Sequence, residues 1–430
     1  MKNSKIWSFI ISIFNYLLVF NVFAGGFRLF KSTFEFNVGY IFVTVFLLVY
    51  VIRYRSVNIN PAFMTLLTIL TISSFVNVYL GNNTICYAVK QILGIFIMGS
   101  AYYLLFKINN FEFDRLFRIY LQIAVVVAII GIFQEFSFLI GFKNGYDYSN
   151  LIPKWILART TAGMLRVNSI FVEPSHFAIT MAPALFVALS NILKNTGSCL
   201  KTKLGSMAII VSYVLTFSAV AYVGMLISLW LIFRGHKKNL KHILLVLTLV
   251  PILMYVSYRY ESEIHRRVDA VMELVTGSKK AIDVHHSVYM LVGHAFVACK
   301  SFMISPMFGH GLGSHPVSYD RFIRSGESYG FWREGIAVTN REDASSLFVR
   351  LVSETGLVGT VAVLFFIFRF RVKKNGNEKL YTISNAVFVL FMMQLLKQGH
   401  YFYNGLFFFV WLYYLCGKDH GNSEGELQSC

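Results

Sequence analysis

Charge is what this sequence has least of. Asp, Glu, Lys and Arg make up 14% of its 430 residues, where soluble globular proteins carry about 25%. A soluble globular domain is therefore excluded. Cysteine is also sparse: Cys86, Cys199, Cys299, Cys416 and Cys430 are scattered, with neither disulfide nor metal-ligand spacing. No internal repeat is visible. Acidic groups are few beside basic ones, 21 against 39, for a net charge of +18. That excess does not mark a nucleic-acid binder, because much of it sits in short loops between apolar runs. Arg53/Arg55, Lys194/Lys201/Lys203, Arg234/Lys237/Lys238/Lys241 and Arg369/Arg371/Lys373/Lys374 form the positive-inside pattern that sets orientation in a membrane.

Apolar residues, by contrast, make up 56% of the chain, with 42 Phe and 24 Tyr. Mean hydropathy is +0.60. Apolar runs of membrane-spanning length recur from end to end. The expected fold class is an all-α polytopic membrane protein of about 12 transmembrane helices with two sizeable external loops. The run at 6–24 reads as an uncleaved first helix rather than a signal peptide. Further spans are expected near 38–53, 61–80, 85–106, 116–141 and 175–193. The run 205–233 poses a topological question. One crossing would put Arg234–Lys241 outside, so two short crossings with a break near Ser218 are preferred. Spans near 242–258, 345–368, 380–398 and 402–416 complete the count. Residues 1–141 then hold the N-terminal spans, 142–174 the first external loop and 175–258 the central spans. Residues 259–343 form the large external loop, 344–416 the C-terminal spans and 417–430 a polar, disordered tail. Both termini are expected on the basic, cytoplasmic side.

The large loop balances ten Lys/Arg against ten Asp/Glu and holds six of the eleven histidines, unlike the basic loops. Within it Glu261–Thr276 reads as an amphipathic helix with Ile264, Val268, Val271 and Val275 on one face, and His286–Phe302 as a helix at the membrane surface.

Three stretches gather chemistry. The first, Arg166–His176, reads R-V-N-S-I-F-V-E-P-S-H at the entry to a span. Arg166 suits a phosphate or a lipid headgroup. Pro174 suits a first helical turn, so Glu173 is either a cap or an acid/base group. His176 is either a packed ring or a proton shuttle. The second stretch runs from Pro306, where Gly309, Gly311 and Gly313 expose N–H groups to an anion or simply turn the chain. The third starts at Leu347. Glu354 lies inside an apolar run, where carboxylates are costly, and a structural hydrogen bond is preferred to catalysis. Gly356 and Gly359 beside it suggest close helix packing. Arg266, with Arg267 beside it, stands eleven residues before Gly277.

In order, these stretches are R-x4-F-x-E-P-S, P-x-x-G-x-G-x-G and L-x3-L-x2-E-x-G-L-x-G. The ordered set, with the number of spans and the loop placement, resembles the O-antigen polymerase/ligase family of bacterial inner membranes. Ligases of that family carry a His shortly before the last stretch, where this chain has Asp343-Ala344-Ser345-Ser346, which favours a polymerase. The resemblance implies a GT-C-like fold and glycosyl transfer at the periplasmic face, with no metal and no cofactor. Its substrates would be undecaprenyl-diphosphate-linked oligosaccharides, and its partners membrane lipids, a chain-length regulator and a flippase, but not nucleic acid. It assigns the diphosphate to Arg166 and to Arg266 or Arg267. Acid/base or orienting work falls to Glu173, with Asp343 and His310 behind it, and His176, Gly309, Gly311, Gly313 and Glu354 support the site. A ligase acting on lipid A core and a lipid-linked oligosaccharide transporter are the rival readings.

Overall fold

The computed structural model describes residues 2–29, 36–158, 160–161, 163–194, 199–200, 202–234, 262–280, 283–332, 340–373, 377–402 and 405–428. The span expected at 242–258, with Lys237, Lys238 and Lys241, lies outside the described residues. The chain begins with α1 (Lys2–Phe20), α2 (Val38–Tyr54), α3 (Pro61–Tyr79), α4 (Ile85–Ile108) and α5 (Phe113–Leu139). A short α6 (Lys143–Tyr146) and a two-stranded antiparallel ribbon, β1 (Thr160–Thr161) with β2 (Met164–Leu165), follow α5. Then come α7 (Pro174–Lys194), α8 (Lys203–Val214), α9 (Ala219–Arg234), α10 (Ser262–Val275), α11 (His286–Ile304) and α12 (His315–Phe322). The chain closes with α13 (Leu347–Arg369), α14 (Glu378–Leu396) and α15 (Leu406–Gln428).

Among the described residues, seven helices are long and apolar enough to cross a membrane: α3, α4, α5, α7, α11, α13 and α14. Helices α1, α2, α8 and α9 are apolar but shorter. Large apolar side chains cover the outside of the bundle, with Ile52 77% and Leu204 83% exposed. A water-soluble surface does not carry apolar area on this scale; hydrocarbon would cover it. The chain is a polytopic membrane protein.

The centre of the bundle is α7 packed on α14, and most residues of both are buried. Hydrogen bonds fix which ends lie together. At one end Lys379 on α14 meets Asp114 on α5 (2.7 Å), and Arg371 Nε donates to Asn385 (2.9 Å). Lys194 at the end of α7 lies 5.8 Å from the Tyr381 ring centre here. The break expected near Ser218 lies at residues 215–218, where Phe217 adopts a left-handed backbone (φ 43°). Asn191 near the end of α7 bonds Ser206 near the start of α8 (2.9 Å), while Tyr381 at the start of α14 bonds the Leu231 carbonyl near the end of α9 (3.3 Å). So α8 runs away from the basic end and α9 returns to it.

Two segments differ from the sequence reading. Helix α15 continues through Gly417 to Gln428 rather than ending where the polar tail begins. Extending a formed helix adds one hydrogen bond per residue without a new nucleation cost. The second is α11, expected as a surface helix, which packs along α13. Its C-terminal end packs beside α13, where Leu357 and Val358 donate N–H bonds to the carbonyls of Pro306 (2.8 Å) and Met307 (3.0 Å). Leu357 is ten residues into α13, roughly 15 Å along its axis. The chain therefore descends along α11, turns at 305–314 and climbs back to α12. Met303, Ile304, Met307 and Phe308 at the tip are all exposed and apolar.

Candidate active site

Opposite the basic end, three loops meet. The first is the entry to α7. Pro174 takes the first helical position, where a missing N–H costs nothing and its fixed φ is already helical. The Glu173 carbonyl receives the N–H groups of His176 (3.1 Å) and Phe177 (3.2 Å). Its exposed carboxylate accepts a hydrogen bond from the Ser175 hydroxyl (3.0 Å). Its backbone thus starts the helix while its side chain points to the mouth. The electrostatic neighbours of His176 are Glu173, Lys397, Asp343 and Lys154, so these five groups share one field.

Asp343 belongs to the second loop, just before α13. Its Oδ1 accepts the Ser345 N–H (3.0 Å), and its Oδ2 lies 4.0 Å from Nε2 of His400. His400 comes from the third loop, between α14 and α15. These two loops are pinned together by Gln398 N–H to Ser345 O (3.0 Å) and by the Ser346 hydroxyl to Leu395 O (2.7 Å). Their backbones touch so closely that a Cβ at Gly399 would overlap the Asp343 carbonyl. Ala344 (φ 57°), Ser345 (φ 58°) and Gln398 (φ 76°) all adopt left-handed backbone at this junction. Non-glycine residues seldom do so, and such strain clusters at functional sites.

The segment leading into Asp343 is held from outside. Arg341 forks onto Asp320, with Nε to Oδ1 at 2.7 Å and Nη2 on Oδ2, and Nη1 donates to the Tyr87 hydroxyl at 3.1 Å. The Asp320 hydrogen bond is the first cause that raises the Arg341 pKa above its ordinary value. Asp343 is thereby fixed between a latch on α4 and the start of α13.

Beneath the mouth sits a buried ion pair. Arg350 (3% exposed) donates from Nε to Oε1 of Glu354 (0% exposed) at 2.9 Å. Its Nη1 donates to the Gly399 carbonyl (3.0 Å), its Nη2 to Oε1 of Gln91 (2.9 Å), and its plane lies 4.6 Å from the Tyr401 ring centre. Glu354 is thus the counter-ion of the guanidinium that carries the His400 loop.

The glycine stretch does not present an anion site. The N–H groups of His310, Gly311 and Leu312 donate to Ser353 O (3.1 Å), Glu354 O (2.8 Å) and the Ser74 hydroxyl (2.9 Å). The loop instead plugs a kink in α13 at Gly356 (φ 59°, ψ −155°). A Cβ on Gly309 would come within 2.6 Å of the Glu354–Gly356 backbone, and one on Gly313 within 2.5 Å of the Tyr87 carbonyl. Close backbone approach, not anion binding, requires these glycines. Gly356 meets Met307–Gly309 for the same reason. At Gly359 the nearest atoms that a Cβ would meet belong to Thr355 of the same helix, across the kink (2.3 Å).

His310 is a correction to the acid/base candidates. It is 1% exposed, with Nδ1 on the Ser318 hydroxyl (2.9 Å), and so does not reach the mouth. His294, His315 and Ser353 form a second buried chain, at 3.0 Å and 3.2 Å. Arg166 is half-buried on the first loop between Leu165 and Val167, whose N–H groups bond Oε2 of Glu135 (3.0 Å) and Leu215 O (2.9 Å). Arg266 is exposed on α10, followed by Arg267. Helix α10 packs on α11 through Ala270 against Tyr289 and Met290, while Val268 and Val271 stay exposed. The small Ala270 lets the helices approach, so the packing face is not the one the valines define.

Of the expected residues, Glu173 and Asp343 both act electrostatically on His176. The sequence reading missed His400 and Arg350. The one local signal for His400 was the polar Lys397-Gln398-Gly399-His400 step between two apolar runs. Compared with known proteins, the chain matches no family model, and no curated protein matches it.

Proposed function

We propose that this chain is a membrane glycosyltransferase that joins polyprenyl-diphosphate-linked oligosaccharides at the outer face of a bacterial inner membrane, as a polysaccharide polymerase. The observation that carries this reading is the approach of Asp343 and His400, from two separate loops, at one end of an apolar bundle, within the electrostatic field of His176 and Glu173 at the entry to α7. Lipid-linked sugars present their reacting carbon at that level. In the proposed step an acceptor hydroxyl attacks the anomeric carbon, and its proton passes to His400, oriented by Asp343. The bond from that carbon to the diphosphate oxygen breaks, and both electrons leave with the lipid diphosphate. Lys397 and Lys154, with Arg166 on the same external loop, supply positive charge for that leaving group. Glu173 orients the acceptor. Twelve spans with both termini cytoplasmic complete the proposal, since the basic loops then all face inward.

One observation favours the ligase as a second reading. The chain has no histidine just before Leu347, but His400 brings an imidazole to Asp343 in space. The two readings separate in cells by the glycan ladder. Asp343→Asn and His400→Asn are each expected to cut long-chain product about a hundredfold or more, the usual worth of a general base. If the ladder collapses to one repeat unit still transferred to its acceptor, the chain is a polymerase. Full-length chains stranded on lipid diphosphate would make it a ligase. A ladder of unchanged length and yield in both variants, at normal protein level, would refute the site.

A further inference from the structure

A small recess opens between the turn after α1, the start of α2 and the loop between α14 and α15. Two carboxamides, Asn21 and Asn37, line it beside the backbone of Gly25 and Gly405 and two aromatic rings, Tyr40 and Phe402. None of its lining residues carries a charge at neutral pH, so a phosphate finds no counter-charge there. Asn37 precedes α2, but its side chain does not cap that helix. Its Oδ1 is buried and has no hydrogen-bond partner among the described residues. A buried acceptor left so is costly unless a bound molecule supplies the donor. The recess also adjoins the proposed mouth. In the turn after α1, a Cβ on Gly26 would lie 3.2 Å from the Ile170 carbonyl oxygen and 3.6 Å from Val172, the residue before Glu173. On the other side Gly405 rests against Val22. The Phe402 ring is 6.4 Å from that of His400 and 6.5 Å from that of Tyr40. Size selects the occupant, since the enclosed space is only about 30 Å³. At roughly 10–15 Å³ for each water-sized atom, the recess takes about two or three of them and not a whole ring.

We propose that this recess is a sugar subsite that seats the exocyclic hydroxymethyl group of a hexose, with the pyranose ring over Phe402 and its glycosidic bond directed at His400. The proposal rests on the functional reading above and adds which sugars the site accepts. A hydroxymethyl group is one carbon and one oxygen, and its hydroxyl donates to Asn37 Oδ1. An acetamido group is too large for the recess, and a carboxylate would find no cation in its lining. A deoxy sugar with a methyl group at this position fits but leaves Asn37 without its donor. The C–H face of the ring is apolar and matches the aromatic side of the recess, as in ligand sites where apolar walls carry a few polar groups.

The test uses full-length protein in nanodiscs. The probes are the methyl glycosides of glucose, galactose and mannose, beside deoxy counterparts with methyl in place of hydroxymethyl. Saturation-transfer NMR is expected to show at least one hexoside bound, with the strongest transfer at its hydroxymethyl protons. Its deoxy counterpart is expected to bind about tenfold more weakly or worse, because a site built for a hydroxyl rejects the analogue lacking it. Asn37→Ala is expected to weaken the hexoside roughly two- to tenfold, the worth of one hydrogen bond. It is not expected to lower the denaturation midpoint, since it removes a buried acceptor without a partner among the described residues. Asn150→Ala, at an exposed position after α6, is expected to leave binding unchanged. If Asn37→Ala cannot be recovered, Phe402→Leu decides: it keeps an apolar side chain against Gly94 but removes the ring under the sugar. Hexosides that bind no better than their deoxy counterparts, or equally well to the variants, overturn the subsite. So does wild-type protein that lengthens lipid-linked chains yet binds none of the probes, which would make the occupant an ordered water only. Both outcomes leave the glycosyltransferase reading standing. Wild-type protein that binds none of the probes and lengthens no chains overturns both.

Discussion

Replacing Arg350 with alanine is expected to destabilise the bundle by about 3–5 kcal/mol and to abolish activity, because it strands a buried carboxylate. Glu354 is fully buried and takes its charged hydrogen bond from Arg350 at 2.9 Å. At membrane depth no water replaces that partner. The same substitution frees the Gly399 carbonyl and the Gln91 amide, so the loop that brings His400 to Asp343 loses its anchor. The double variant Arg350→Met/Glu354→Leu separates the two effects. Its stability is expected to return most of the way, since a buried pair replaced by apolar groups of similar volume is often neutral. Its activity is expected to stay lost, since Gly399 remains unanchored. Denaturation midpoints in detergent, beside product formation, read both. Recovery of activity with stability would mean that Arg350 only fills space.

Gly309→Ala is expected to cost about 2–5 kcal/mol, from a left-handed penalty of ~1–2 and overpacking of ~1–3. Its φ is +62°, and the new Cβ meets backbone atoms of Glu354, Thr355 and Gly356 at 2.6 Å. Backbone in a kinked helix cannot rotate aside as a side chain can. Gly277 is the control. Its φ is +70° with nothing within 4 Å, so Gly277→Ala carries only the conformational part, about 1–2 kcal/mol. The same denaturation assay compares them, and equal losses would show that contact with the α13 kink is unimportant.

Much of the scaffold was legible in the sequence. Apolar runs set the helices, and the charge rule with Ser218 marked the break between α8 and α9. The site was legible only in part. Glu173 and His176 are neighbours in the chain, so their pairing shows locally. Asp343 and His400 are brought together by two loops in left-handed backbone, and no periodicity or spacing encodes that meeting. The glycine stretch misled because positive φ serves a tight backbone contact as well as an anion nest. Only the hydrogen-bond partners of its N–H groups tell the two apart. Helix α11 misled for a related reason: its hydropathy fits a span or a surface helix equally, and the carbonyls of Pro306 and Met307 are what hold its end at depth.

The most direct test is to give the purified full-length protein, in nanodiscs, only a polyprenyl-diphosphate-linked repeat unit and to separate the lipid-linked products by length. The expected result is a ladder of longer chains with one free polyprenyl diphosphate released per bond formed, present in wild type and absent in the His400→Asn variant. Chains that never lengthen, from protein that binds the substrate and is folded, would contradict the proposed activity.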